Sequence, residues 1–195
     1  MSAIRLASAE DAALAGRILA AGFEDDPVLS WCMSEPDRLP KLEALFGLAA
    51  AETFIPGATW LTAQVVAAWL PPPGSQPEDE ERGLRIGQAL LDAGCTGDDL
   101  GRLAVMGEAM SQAHPHQPHW YLGAVATLPD QRGVGLGSAV LAHALVEVDK
   151  EHSAAYLESS NPRNITLYER HGWEVTGRID IPGGPPMYPM WREPR

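Results

Sequence analysis

A glycine-rich run at 130–138 carries residue types that can hold an anion. It reads Asp-Gln-Arg-Gly-Val-Gly-Leu-Gly-Ser, with an apolar segment before it at 120–127 and an amphipathic segment after it at 138–150. Glycine permits positive φ angles and lets the backbone approach a ligand closely. The pattern predicts a strand, a turn and the start of a helix, where backbone N–H groups and the helix dipole favour a phosphate.

Two common phosphate-binding loops do not fit this run. The dinucleotide-binding loop needs G-x-G-x-x-G and a later acidic residue, whereas the glycines here follow G-x-G-x-G. The loop of nucleoside triphosphatases needs Gly-Lys-Ser/Thr, and Gly137-Ser138 lacks the lysine. On the glycines alone, a turn between strand and helix that binds nothing remains an alternative.

The spacing Arg132-x-x-Gly135-x-Gly137 resembles the pyrophosphate-binding signature of the GNAT superfamily of acyl-CoA N-acyltransferases. Two later blocks, Leu-Glu-Ser-Ser-Asn-Pro-Arg-Asn at 157–164 and Leu-Tyr-Glu-Arg-His-Gly-Trp at 167–173, resemble the second half of that family. The resemblance implies an α/β fold in which helices flank a central, mixed but mostly antiparallel sheet of about seven strands, splayed in the middle. It also implies acetyl-CoA (coenzyme A) as the cofactor.

Segments along the whole chain resemble the puromycin N-acetyltransferases and their relatives. They include Ile-Arg-Leu-Ala at 4–7, Val-Val-Ala-Ala-Trp at 65–69, Pro-His-Trp-Tyr-Leu at 118–122 and the run from Pro186 to Trp191. This resemblance implies direct acetyl transfer, in a ternary complex, to a primary amine of a puromycin-like aminonucleoside or related antibiotic, and hence antibiotic resistance. Residues 37–116 match mainly by pattern, so a polyamine, an amino acid, a protein N-terminus or a CoA-binding sensor without turnover remains open.

The resemblance places the cofactor on two backbone segments. The pyrophosphate would lie beside Arg132 and Ser138, on the N–H groups of Gly133, Val134, Gly135, Leu136 and Gly137. The pantetheine arm would pair with the backbone of Val125, Ala126 and Thr127, where an N–H of one of the first two would donate to the developing oxyanion. Asn164 and Tyr168 would complete the cofactor contacts.

Two side chains are candidates for the chemistry. Tyr168 matches the family's general acid: a phenol with a pKa near 10 stays protonated at neutral pH, and a thiolate leaving group with a pKa of about 8.5 can take its proton. Packing in the core is the alternative role for Tyr168. Glu158, at the end of a predicted strand, is the candidate base, with a structural hydrogen bond or a contact to the substrate cation as alternatives.

The loop after the first helix commonly walls the acceptor pocket in GNAT proteins. This resemblance makes Asp25, Asp26 and Trp31 candidate acceptor contacts, with a turn at Pro27 carrying solvated acids as the alternative. Asp25 and Asp26 are also the second choice for the base. His119, Trp120 and Glu158 complete the candidate acceptor site. The histidines at 114, 116 and 119 stand among prolines that exclude a regular element, so we predict a loop there and no metal site.

Hydrophobic patterns and capping residues predict the elements. Helices are expected from Ser8 to about 22, from 39 to 54 behind an Asp37 cap, at 80–92, 99–112 and 138–150, and after the cap pair Asn161-Pro162. Strands are expected at 4–6, 59–62, 65–70, 119–127, 154–158, 173–177 and 186–191.

Composition limits the class of protein. The 195 residues fit a single domain spanning 1–195, and the net charge of −12 argues against a nucleic-acid surface. Negative charge suits a small-molecule amine substrate through steering, although solubility explains it equally simply. We see no apolar run near 18 residues and no signal peptide, and two distant cysteines fit reduced thiols. We therefore expect a cytoplasmic protein without membrane contact, and the resemblance allows a homodimer.

Overall fold

A seven-stranded sheet organises the protein. The computed structural model describes residues 3–33, 36–72, 74 and 80–195. The strands lie in the order β1-β2-β3-β4-β5-β7-β6, and each neighbouring pair is antiparallel except β4 and β5, which are parallel. Their bounds are β1 Arg5–Leu6, β2 Ala58–Leu61, β3 Val65–Leu70, β4 Trp120–Thr127, β5 Ala155–Ser159, β6 Glu174–Val175 and β7 Tyr188–Arg192. The predicted mixed, mostly antiparallel sheet of about seven strands is confirmed.

Helices cover both faces of the sheet. They are α1 Ala12–Phe23, α2 Pro27–Cys32, α3 Arg38–Ala49, α4 Ile55–Gly57, α5 Glu80–Asp92, α6 Gly97–Ala113, α7 Leu136–Lys150 and α8 Ile165–Glu169. A π-helical stretch, Ala50–Phe54, joins α3 to α4. None of the described helices is both long enough and apolar enough to span a membrane.

The two faces carry separate apolar cores. One core packs α1, α2, α3 and α5 against side chains such as Val66 and Ala68 of β3. The other packs α7 and α8 against the alternate residues Val65, Ala67 and Trp69. Strand β3 is buried on both sides because its side chains alternate between these cores. The sheet is therefore a middle layer, and a ligand reaches its centre only where neighbouring strands separate.

A β-bulge at Gly123 changes which face of the sheet the alternate side chains of β4 point to. Ala68 pairs with Ala124 while Trp69 pairs with Leu122, so Gly123 is the extra residue on β4. Leu122 belongs to the α7 core, whereas Ala124 belongs to the α1 core. A Cβ on Gly123 would stand 2.7 Å from Cε1 of Phe54, so a side chain does not fit there without movement. The bulge therefore changes the direction of the side chains in the part of β4 that borders the opening described below.

Three predictions about the termini of helices differ from the structure. Asp37 was expected to cap α3, but its backbone is left-handed (φ 66°) and its side chain makes no capping bond. The run 23–27 was expected to end the first helix, and α1 does end at Phe23, but Asp26 also begins the helix α2, which was not predicted. Helix α6 begins at Gly97 rather than Asp99, because Thr96 caps it and accepts from the Asp99 N–H at 3.2 Å.

Strands β4 and β5 pair only at their beginnings. The parallel register joins Trp120 to Ala155 and Tyr121 to Tyr156, and no further pair continues it. Beyond Tyr121, β4 keeps β3 as its partner on one side and leaves its other edge free of β5. The sheet is therefore splayed in the middle, as the family resemblance implied.

Candidate active site

A cavity of about 840 Å³ opens where β4 and β5 part. One wall is the free edge of β4 from Leu122 to Thr127, and the opposite wall is the end of β5 with the turn that follows it. The glycine run lies along the same cavity, which also reaches α1, α2, α3, α6 and α8. One continuous space thus joins the predicted cofactor segments to the candidate catalytic side chains.

The glycine run has the backbone conformation that an anion cradle needs. Gly133 and Gly135 have φ angles of 81° and 89°, and Gly135 is the N-cap of the 15-residue helix α7. A Cβ at either position would meet no atom within 4 Å, so glycine is required for conformation and not for space. The predicted positive φ values are confirmed, and the amides before α7 lie at the positive end of its dipole.

Arg132 ties the glycine run to the end of α1. Its guanidinium donates to both carboxylate oxygens of Asp25, at 2.9 and 3.1 Å, and to the carbonyl of Gly22 at 2.8 Å. This pairing lowers the pKa of the Asp25 carboxyl. The structure thus places Asp25, an expected acceptor contact, beside the glycine run, and 72% of its side chain is exposed.

The free edge of β4 borders the cavity through Val125, Ala126 and Thr127. These residues pair with β3 at Ala67, Val66 and Val65. The edge that faces the cavity has no β5 partner, so its alternate N–H and C=O groups are available to an extended ligand. This is the geometry expected for a pantetheine arm that adds to the sheet as a further strand.

Tyr168 lies on the cavity wall and is also buried. Only 7% of the residue is exposed, and its ring meets that of Trp173 edge-on with the centroids 6.1 Å apart. Burial raises the pKa of the Tyr168 phenol well above its usual value, and the negative charge of Asp26 adds to the rise. The two roles foreseen for Tyr168, packing and acid, are therefore compatible in one side chain that stays protonated.

Asp26 is engaged in fixing the backbone. Its Oδ1 accepts from the N–H groups of Val28 and Leu29 at 3.0 Å each, and Ser160 Oγ donates to its Oδ2 at 2.6 Å. Burial raises the pKa of the Asp26 carboxyl above its usual value. Asp26 borders the cavity, but its oxygens hold α2 against the end of β5.

Glu158 of β5 borders the cavity, and its side chain is 1% exposed. Its Oε1 lies 3.4 Å from His114 Nδ1, and its Oε2 has no hydrogen-bond partner among the described residues. Burial, with the nearby Glu158 charge as the next cause, raises the pKa of the Tyr121 and Tyr156 phenols. A carboxylate oxygen without a partner, on a residue that borders the cavity, can accept a hydrogen bond from an ammonium group.

Three predicted acceptor residues lie away from the cavity. Trp31 packs against Gly184, with the guanidinium of Arg102 5.9 Å from its ring centroid. His119 is fully buried, with Nδ1 2.7 Å from the Gln117 carbonyl oxygen. Trp120 faces the α7 core and donates from Nε1 to Glu151 at 2.8 Å. The structure does not bring these three side chains together with Glu158 at the cavity surface.

The remaining cofactor candidates border the cavity. Asn164 stands just before α8, and Ser138 lies in the first turn of α7 with its Oγ 2.8 Å from His171 Nε2. Within the described ranges, no three or more His, Cys, Asp or Glu side chains come together as a metal site.

An apolar wall is the part of the site that the sequence did not reveal. It combines side chains from α2, α3 and α6 with one from the loop before β7, namely Val28, Leu29, Leu45, Phe46, Met106, Met110 and Met187. Met106 and Met110 are four residues apart on α6, a spacing that puts them on one face of a helix. That spacing was the available signal, but it does not distinguish a ligand pocket from a core.

Comparisons with known proteins agree with this geometry. Residues 98–173 match the model of the Acetyltransferase (GNAT) family. A crystal structure described as histone acetyltransferase HPA2 and related acetyltransferase from Corynebacterium glutamicum is 28% identical, with a TM-score of 0.72, and the match covers 100% of this chain and 98% of that one.

Two more distant structures share the fold. The Drosophila melanogaster polyamine N-acetyltransferase is 12% identical with a TM-score of 0.60, covering 98% of this chain and 100% of the other. The C-terminal condensation domain of Ebony, solved with beta-alanyl-dopamine, is 10% identical with a TM-score of 0.63, covering 99% and 100%. The family match over residues 98–173, the splayed sheet and the glycine turn together show that this chain is similar to the GNAT acetyltransferases.

Proposed function

We propose that this enzyme transfers the acetyl group of acetyl-CoA to the primary amine of a small molecule, directly and in a ternary complex. One observation carries the proposal: a single cavity joins the free edge of β4 and the glycine turn to Tyr168 and Glu158. Acceptor and thioester can therefore meet without an acylated enzyme side chain.

The residues fit acetyl-CoA, which when bound supplies an acetyl group activated as a thioester. The amides of 133–137 suit the pyrophosphate because Gly133 and Gly135 hold positive φ angles in front of α7. Val125, Ala126 and Thr127 offer an unpaired strand edge to the pantetheine arm. Arg132, Ser138 and Asn164 stand along the same space for polar contacts.

The side chains divide the proton transfers between them. Glu158 takes a proton from the incoming ammonium group, so that the neutral amine can attack the acetyl carbon. A backbone N–H of Val125 or Ala126 donates to the negative charge that develops on the acetyl oxygen. Tyr168 gives its proton to the departing sulfur and recovers one from the newly bonded nitrogen.

The apolar wall supports an acceptor with an apolar body, as in a puromycin-like aminonucleoside, over a polyamine. A polyamine carries several positive charges, which need several acidic partners. Three acids border the described cavity: Asp25 is paired with Arg132, Asp26 caps α2, and Glu158 keeps one oxygen without a partner. A single cationic head at Glu158 and an apolar body against Met106 and Met110 match this arrangement.

Release of the CoA thiol from acetyl-CoA tests the proposal with an amine panel. We expect release with puromycin or another apolar primary amine, and a puromycin acceptor would make antibiotic resistance the physiological role. Thiol release only with polyamines, amino acids or protein N-termini would show that the enzyme acts on one of those acceptors and not on a puromycin-like amine. Tight acetyl-CoA binding without release from any amine would contradict catalysis and favour a sensor.

A further inference from the structure

A cluster of four rings lies beside Glu158, behind the cavity wall: His114, His119, Tyr121 and Tyr156. The His114 ring centroid is 4.9 Å from that of His119, 5.0 Å from Tyr121 and 5.1 Å from Tyr156. Tyr121 borders the cavity, and its ring stacks on Tyr156 at 6.1 Å. His114 follows the last turn of α6, so a side chain from 44 residues earlier meets Glu158 of β5.

This cluster holds an unusual number of buried polar atoms without hydrogen bonds. Among the described residues, His114 Nε2, His119 Nε2, Tyr156 Oη and Glu158 Oε2 are all buried without a partner. Unpaired buried polar atoms cost stability, so most are eliminated from folded proteins. The cluster surrounds Glu158, which borders the cavity, so these groups lie next to the candidate base.

The two histidines differ in how firmly their protons are fixed. His119 Nδ1 lies 2.7 Å from the Gln117 carbonyl, which can only accept, so that nitrogen must carry a proton. Burial also lowers the pKa of His119, which keeps its ring neutral. His114 has only the carboxylate of Glu158 near Nδ1 and no partner at Nε2, so no other hydrogen bond fixes its tautomer. His114 is therefore the ring of the pair whose proton position is not fixed by a backbone carbonyl.

We propose that His114 is the proton partner of Glu158: it orients the carboxylate toward the acceptor and receives the proton that Glu158 removes. This inference rests on the proposed acetyl transfer. Two protons leave the ammonium nitrogen in each cycle. The first passes to Glu158, then to His114 Nδ1, and is the one that the overall reaction releases to solvent. The second restores the Tyr168 phenol after the C–N bond has formed and the C–S bond has broken.

Exposure supports this direction of transfer. The Glu158 side chain is 1% exposed and that of His114 is 20% exposed, so His114 is the member of the pair nearer to solvent. The other groups against the His114 ring are His119 and Tyr121 of the β4 region and Tyr156 of β5, with Trp191 of β7 behind them. Burial raises the pKa of both tyrosines, so neither phenol competes with His114 for the proton of Glu158.

Two amine acceptors with different pKa values distinguish a proton relay through His114 from a purely structural role of this side chain. An α-amine with a pKa of about 7.7–8 is partly neutral at pH 7, whereas an alkylamine near 10.4 must lose a proton first. In His114→Gln the amide can still hydrogen-bond Glu158 but cannot relay a proton. We expect kcat/KM for the alkylamine to fall at least tenfold at pH 7, and that for the α-amine to fall less than threefold. The affinity for acetyl-CoA should not change.

His116→Gln, at an exposed histidine two residues away, is the matched control and should keep both kcat/KM values within twofold. Equal losses for the two amines, or no loss, would overturn the relay while leaving the acetyl transfer intact. If the unaltered protein acetylates neither amine, the proposed function fails first. NMR of the imidazole nitrogens then tests the pair: Glu158→Gln should change the His114 signals and not those of His116, and unchanged His114 signals would refute the pairing.

Discussion

The proposed mechanism assigns to Tyr168 the protonation of the departing thiolate. Burial raises the pKa of its phenol, which stays protonated, and the residue borders the cavity. We expect Tyr168→Phe to lower kcat about 100-fold, because a general acid contributes at least that much, with little change in acetyl-CoA affinity. Steady-state kinetics with calorimetric binding would check this, with Tyr188→Phe, away from the cavity, as the control. A kcat near that of the unaltered enzyme would remove Tyr168 from the mechanism.

A substitution at Gly135 tests whether the glycine turn needs its positive φ angle in order to bind the cofactor. Alanine fits the space but disfavours the φ of 89°, at a cost of about 1–2 kcal/mol. The substituted loop should relax, and binding must then restore the strained conformation, so the Kd for acetyl-CoA should rise about tenfold in Gly135→Ala. Val134→Ala is the control: Val134 is 70% exposed, and only its backbone is assigned to the ligand. Equal affinities in both variants would argue against the cradle.

Asp26 should matter more for stability than for substrate binding. Asp26→Ala removes the cap of α2 and should lower the free energy of unfolding by about 1 kcal/mol or more, measured by urea denaturation. Asp26→Asn keeps an oxygen for the two N–H groups, so we expect a smaller loss and a KM for the amine within threefold of the unaltered value. A large rise in KM for Asp26→Asn would instead support the contact to the acceptor that the sequence suggested.

The pH dependence of the Asp26 contribution has a definite sign. Burial raises the folded pKa above the unfolded value of about 3.9, so the folded state binds the proton more tightly. The stabilisation is complete below the unfolded pKa and is lost as the pH rises through the folded one. Asp26→Asn should therefore gain stability relative to the unaltered protein between pH 4 and pH 7. A difference that stays constant with pH would contradict the raised pKa.

Some residues of the site could be predicted because their motifs are local. The glycine turn and the block from Glu158 to Tyr168 are short segments whose order alone indicates a role. The partners of Glu158 and Asp26 could not be predicted in this way, since His114 and Ser160 reach them only after the sheet and helices have packed. The residue types of His114 and Ser160 also gave no signal, because histidine and serine are common on surfaces and in turns.

At the scale of elements, the contact between α1 and β4 sets the shape of the cofactor wall. A Cβ on Gly22 of α1 would lie 2.5 Å from the Ala126 Cβ. Gly22→Ala should push the helix from the strand, cost about 1–3 kcal/mol of unfolding free energy and weaken acetyl-CoA binding. Gly101→Ala, on α6 with no neighbour within 4 Å, should gain up to about 1 kcal/mol. Loss of stability in both variants would show that helix packing at Gly22 is not the cause.

The elements themselves were largely predictable from periodicity, and the exceptions have physical reasons. The run 23–27 was interpreted only as the end of the first helix, although an acidic cap followed by proline at the first helical position is also a normal helix start. The bulge at Gly123 depends on register with β3, and a run of alternating small and apolar residues does not specify register. The splay came from family resemblance, since an apolar strand carries no sign of where its neighbour departs.

At the scale of the whole molecule, the net charge of −12 should act oppositely on the two substrates. A negative protein attracts a cationic amine and repels anionic acetyl-CoA, and salt screens both effects. Raising the ionic strength from about 0.02 to 0.2 M should lower kcat/KM for the amine several-fold and raise it for acetyl-CoA. Stopped-flow or steady-state rates in a chloride series would measure both slopes. If kcat/KM changed in the same direction with salt for both substrates, the net charge would serve solubility and not the steering of substrates to the site.

The most direct measurement is a crystal structure of the full chain with bound CoA. We predict pyrophosphate oxygens at hydrogen-bonding distance, about 2.7–3.2 Å, from the amides of 133–137, and a pantetheine arm along Val125, Ala126 and Thr127 with its sulfur toward Tyr168. A nucleotide bound at another surface, or a β4 edge that stays clear of the cofactor at saturation, would contradict the account.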